Sequence, residues 1–148
     1  MQVDTIEYGE TFAALEANWN ALYMRDPEAL FFMSWTWISR VLRNYPEQSR
    51  ILAARPSEGT EYVAFFPIQV TTTWSRSRRA FRDELHMAGR AFWGQYNGFL
   101  CDPAWEELAI PAIADKIKEM CWSRLSLRYL HASSGRKNHF LERFPDDL

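Results

Sequence analysis

This chain of 148 residues has little of what staples or metal sites are made from. Its two cysteines, Cys101 and Cys121, form no CxxC pair, and its three histidines, His86, His131 and His139, are scattered. That spacing argues against a disulfide framework or a zinc site and suits two thiols in a reducing compartment. Charge of one sign is also lacking. Seventeen basic residues against nineteen acidic ones give a net charge of −2, so no global attraction to nucleic acid or membrane is available. Long apolar runs are missing too. The run over residues 63–68 is six residues, against the ~20 a spanning helix needs. The opening residues have neither a basic segment nor an apolar core of a signal peptide, so a cytoplasmic chain without a membrane span is expected.

What is present is an ordinary globular balance, 47% apolar and 24% charged, with an unusual aromatic load of 16% that includes seven tryptophans. A chain of this length buries roughly 68–70% of its unfolded surface and holds a core unaided. Residues 3–8 read as a strand ended by Gly9. Phe12, Leu15, Trp19, Leu22 and Tyr23 then recur at helical spacing, with Thr11 placed to cap the helix and Asp26-Pro27 to end it. Ser34 is positioned to cap a second helix whose stripe is Trp37, Ile38, Val41, Leu42 and Tyr45. Residues 50–55 and 62–72 read as a hairpin around Pro56-Ser57-Glu58-Gly59, and Pro67 implies an edge or a bulge. A basic connection over 74–83 and a strand over 84–88 follow. A third helix opens at Pro103, with Leu108, Ile110, Ile113, Ile117 and Met120 inward. A strand over 126–130 and a short helix over 138–144 complete a β-α-α-β-β-β-α-β-α order with no internal repeat, one mixed α/β unit spanning residues 1–148.

That order is the order of the GNAT acyltransferase fold, and several local words are more specific. Phe12, Leu15, Trp19 and Leu22 resemble the opening word of the bacterial CelD-like acetyltransferases. Phe32, Ser34 and Trp37 resemble their next word, and Phe65-Phe66-Pro67-Ile68 resembles their apolar Pro-containing strand. Arg76, Arg78, Arg79 and Arg82 resemble their arginine-rich connection, and Trp122, Leu125, Leu127, Arg128 and Leu130 resemble a later strand. The resemblance implies a GNAT-like mixed sheet with helices packed on it. It further implies the N-terminal lobe of a two-lobed acyltransferase related to the Fem-type aminoacyltransferases. In such proteins the second lobe carries acetyl-CoA, so this lobe is expected to hold no cofactor and to be inactive alone. It would shape the site of a sugar or envelope-precursor acceptor in polysaccharide metabolism. The rival reading is a stand-alone binding or assembly module with the same fold. The family's S-D-Y word corresponds here to Gly94-Gln95-Tyr96, which keeps the tyrosine and lacks the acid.

Residue by residue, the chemistry is sparse. The nearest string to a pyrophosphate loop is His86-Met87-Ala88-Gly89-Arg90-Ala91, but Phe92-Trp93-Gly94 follow where a helix should open. At the entrance of the third helix Asp102, Glu106 and Glu107 complement the helix dipole and repel a phosphate, while Pro103 removes an N–H. His131 beside Ser133 and Ser134 lacks an orienting acid. Glu106 and Glu107 are explained as first-turn helix acids, so no catalytic residue is identified. Residues 74–90 hold five arginines against two acids, whereas residues 1–34 hold six acids and one base. Arg76, Arg78, Arg79 and Arg82 read either as a solvated hairpin end or as an anion contact for a sugar polymer, a phosphate or a tRNA backbone. No nucleic-acid-binding word supports the last. Trp93, Gln95, Tyr96 and Asn97, with Trp35, read as an acceptor or partner surface, or as core packing. Trp74, Phe92, Trp93 and Phe99 exceed the inward stripes. The chain is therefore expected to meet a second lobe or to pair with itself through residues 92–100 and 126–130.

Overall fold

Two strands with apolar residues on both faces, Ser49–Arg55 (β2) and Ala64–Ser75 (β3), form the middle of the protein. Ile51, Ala53 and Phe65 pack on one side of the sheet, while Leu52, Ala54, Phe66 and Ile68 pack on the other. Such near-continuous apolar runs belong to strands covered on both faces. The computed structural model describes residues 1–89 and 97–144.

Around this pair lie Gln2–Glu7 (β1), Ala80–Met87 (β4), Leu100–Cys101 (β5) and Arg124–Ser126 (β6). The sheet order is β1-β2-β3-β4-β6, with β5 pairing β3 beside the end of β4. The ladders are antiparallel except β4–β6, which is parallel and needs a crossover. That crossover is Glu106–Glu119 (α4), which packs with Ser134–Leu141 (α5) on one face of the sheet. Glu10–Ala13 (α1), Glu16–Arg25 (α2) and Trp35–Asn44 (α3) cover the other face. Among the described residues no helix is long and apolar enough to cross a membrane.

The first helical stripe falls where its spacing predicts. Phe12, Leu15, Trp19 and Leu22 are all buried, and Trp19 donates its indole N–H to the Met33 carbonyl at 2.9 Å while stacking on Phe65 at 4.6 Å. Ser34 caps α3, its hydroxyl accepting from the Trp37 amide at 3.4 Å. Thr11 is not a cap. Gly9 holds that position, Thr11 lies inside α1, and the helical path breaks between α1 and α2.

Other expectations need correction. Pro67 sits in a central strand rather than at an edge or bulge, opposite Ile51. Its carbonyl accepts from the Ala88 amide on the side where the partner of β3 changes from β5 to β4. A strand residue aims its nitrogen and oxygen to the same side, so the missing N–H falls at that change of partner and breaks no pairing with β2. The basic connection is only residues 76–79, because 74, 75 and 80–83 are strand. Leu108 is exposed, and Ala109 and Ala114 complete the inner face of α4 instead. The last strand lies at 124–126 rather than 126–130, and the last helix starts at Ser134 on a Ser133 cap.

Candidate functional site

The entrance of α4 is where a helix turns backbone N–H groups toward an anion, and here the protein's own carboxylates crowd it. A 3-10 turn, Pro103–Trp105, precedes the helix. Asp102 accepts the Ala104 amide at 3.0 Å and lies 3.4 Å from the Arg25 guanidinium. Pro103 has no N–H to give.

Behind this turn lies Arg136, buried to 1% exposure. The Ser133 cap starts α5, so Arg136 and Phe140, four residues apart, share its inner stripe. The guanidinium grips Asp26 with two bonds of 2.9 and 3.0 Å and reaches Glu106 at 2.8 Å through Nε. It also donates to the carbonyls of Phe99 at 3.2 Å and Cys101 at 3.3 Å, and Glu28 lies 3.5 Å away. Asp26 in turn accepts the amides of Glu28 and Cys101. One side chain thus fastens the end of α2, the short strand β5, the start of α4 and the start of α5.

The electrostatics match this closure. Burial works against the charged form of Arg136, but its bonds to Asp26 and Glu106 prevail and hold it protonated well above its ordinary range. Burial likewise raises the Glu28 carboxyl. The Ser133 hydroxyl and amide, with Arg136, outweigh that and keep Glu28 below the usual carboxylate value. The Cys101 thiol, buried beside these acids, is pushed up to about 12 and is inert as a nucleophile near neutral pH. Ser133 caps α5, its hydroxyl accepting from the Arg136 amide at 3.3 Å. Three carboxylates and a saturated arginine do not fit a pyrophosphate. The His86–Gly89 string continues β4 into a turn in which Gly89 takes φ +89°, and residues 90 and 91 lie outside the described residues. Among the described residues no cluster of His, Cys, Asp and Glu is set to hold a metal ion.

The predicted acceptor surface is only partly visible. Trp93, Gln95 and Tyr96, together with Phe92, lie outside the described residues. Asn97 is buried rather than on the surface, donating to the Ala88 carbonyl at 2.8 Å and accepting the Gly98 amide at 2.9 Å. Gly98 bridges to His131, and a Cβ there would overlap the His131 carbonyl oxygen. Trp35 stacks on Phe12 at 4.8 Å and Phe99 on Phe66 at 4.4 Å, so both are core packing.

The four arginines of the connection divide. Arg82 is engaged, 2.7 Å from Glu84 and bonded to Thr73. Arg76, Arg78 and Arg79 are exposed in the β3–β4 turn and form no ion pair among the described residues. A further open feature escaped the sequence reading. A groove of about 400 Å³ runs between β6 and α5, lined by Trp122, Leu125, Leu127, Phe140, Leu141 and Phe144. Beside it the outer edge of β6 is unpaired among the described residues.

No protein-family model and no curated protein matches the chain in sequence. In three dimensions it is similar to a solved structure described as a probable acetyltransferase. That likeness has a TM-score of 0.54 at 13% identity and covers 100% of this chain and 92% of the other. It is also similar, at a TM-score of 0.46 and 15% identity, to the ribosomal-protein-alanine N-acetyltransferase from Brucella melitensis biovar Abortus 2308, covering 100% and 95% of the two chains. The mixed sheet with helices on both faces is the fold of the GNAT acetyltransferases.

Proposed function

We propose that this chain is a non-catalytic GNAT-type lobe of an acyl-CoA-dependent N-acetyltransferase, of the CelD-like tandem kind. It shapes the acceptor site and supports a second lobe that holds acetyl-CoA. The observation that carries this reading is the entrance of α4. There Asp102 takes the Ala104 amide of the 3-10 turn that leads into the helix, and Glu106 is bound to the buried Arg136. A pyrophosphate would have to displace carboxylates whose counter-ion is already saturated, which favours a lobe that leaves the cofactor to a partner. The acceptor in this reading is a sugar or envelope precursor, and its site includes the segment with Trp93, Gln95 and Tyr96.

The groove between β6 and α5 and the β6 edge left unpaired among the described residues suit the partner lobe or, in its absence, a second copy of the chain. The apolar lining supplies the driving force and the open strand edge the register. Release of free CoA thiol from acetyl-CoA, with amino sugars and peptides as acceptors, tests the reading. The chain alone should stay at the uncatalysed rate. Turnover by the isolated chain would overturn the non-catalytic role.

A further inference from the structure

The hairpin of β3 and β4 outruns the rest of the sheet. β2 accompanies β3 only as far as Gln69, with one further bond from the Val70 amide to the Gln48 carbonyl. β6 accompanies β4 only from Glu84 onward, with Ser123 reaching back to the Asp83 carbonyl. Residues 73–82 therefore form a two-stranded ribbon that projects beyond its neighbours, paired from Thr73↔Arg82 to Ser75↔Ala80.

Its side chains are not those of a solvated loop. Trp74 and Phe81 face each other across the ribbon, edge to face at 5.0 Å, and remain 53% and 73% exposed. Between positions 73 and 82 stand four arginines and no acid, in a chain whose net charge is −2. The neighbouring acids offset part of this field. Glu84 pairs with Arg82 and Arg124, and Asp83, which accepts from the Thr72 hydroxyl at 2.6 Å, lies at the base of the ribbon. The excess therefore sits on Arg76, Arg78 and Arg79 at the tip.

We propose that this ribbon is a binding element for single-stranded nucleic acid. The inference is independent of the acyl-transfer reading and runs against the expectation, drawn from overall charge, that nucleic acid is no partner. Each repeat of such a strand offers one phosphate and one flat base. The ribbon sets guanidinium groups beside exposed aromatic rings, the pairing that combines backbone contact with stacking. The order of the groups opposes a membrane. Arg76, Arg78 and Arg79 lead at the tip while the rings stand behind them, whereas a hairpin that enters lipid leads with its apolar side chains. Exposed rings on the ribbon's flank need unstacked bases, which a duplex does not present.

The test is fluorescence anisotropy of a labelled oligonucleotide of about 15 residues, dT or U, at about 50 mM salt with a salt titration. The wild-type chain is expected to bind saturably. Replacing Arg76, Arg78 and Arg79 together by Ser should weaken binding at least about tenfold and flatten the log–log salt slope by about 2. The double variant Trp74→Ser, Phe81→Thr should also lose about tenfold but keep the slope, since stacking releases no counter-ions. All these side chains are exposed, and circular dichroism confirms that each variant is folded. Four outcomes would overturn the proposal. They are no saturable binding at about 100 µM chain, a triple variant that binds as wild type, a ring variant that binds as wild type, and preferential capture of anionic vesicles, sulfated polysaccharide or duplex of equal length.

Discussion

The protein has two places where an anion would naturally settle, and they are built in opposite ways. At the entrance of α4, Asp102 takes the Ala104 amide of the leading 3-10 turn, and Glu106 and Asp26 saturate the Arg136 guanidinium. At the tip of the β3–β4 ribbon the guanidinium groups of Arg76, Arg78 and Arg79 have no partner among the described residues. Arginine thus does structural work in one place and is left open to solvent in the other. The difference lies in burial. A buried guanidinium must be saturated by its own fold, while an exposed one keeps its donors for something else.

The comparison breaks most visibly if Arg136 is dispensable. Arg136→Met leaves Asp26 charged and buried, with the Phe99 and Cys101 carbonyls losing a donor, and should cost about 3–5 kcal/mol in urea unfolding. Replacing Arg76, Arg78 and Arg79 by Ser should move the same midpoint by less than about 0.5 kcal/mol for each site. A small loss at Arg136, or a large one at the tip, would erase the distinction.

Gly98→Ala comes next. The added methyl meets the His131 carbonyl, and forcing it into this packed crossing should cost about 1–3 kcal/mol. The same loss should loosen the chain around Asn97, seen as faster amide exchange at His131, whose N–H is held by the Asn97 carbonyl at 2.9 Å.

Acid sharpens the contrast further. The folded-state value of Glu28 lies below its ordinary 4.5, so the unfolded chain binds the proton more tightly. The contribution of Glu28 is then complete above pH 4.5 and is lost as the pH falls through the folded value. Glu28→Gln should flatten that part of the stability profile, whereas the tip variant should leave it unchanged. The smallest expected effect is on association. Leu141→Glu in the groove beside β6 should reduce any dimer seen by light scattering at tens of micromolar. A monomer for both proteins would remove the groove as a contact surface.

The parts legible in the sequence were those whose signal is local. Phe12, Leu15, Trp19 and Leu22 repeat at helical spacing. Ser34 sits one residue before an amphipathic run, and the β2–β3 hairpin is flanked by turn residues. The arginine closure was not legible because its partners are remote. Arg136 and Asp26 are 110 residues apart, and Arg136 and Glu106 are 30 apart. One hint existed, since Arg136 lies four residues before Phe140 on the face that α5 buries. The projecting ribbon was hidden for a related reason. The arginine run could be read directly, but it stands alone only because β2 and β6 stop short, and both are set by tertiary pairing.

Isothermal titration of acetyl-CoA into the wild-type chain and the Arg76/Arg78/Arg79→Ser variant tests the closed helix entrance most directly. The expected result is no saturable heat in the variant up to about 100 µM ligand, with any weak wild-type signal vanishing alongside the tip arginines. A Kd tighter than about 10 µM, or roughly −7 kcal/mol, retained in the variant would contradict it. It would mean that the carboxylates around Arg136 give way to a pyrophosphate after all.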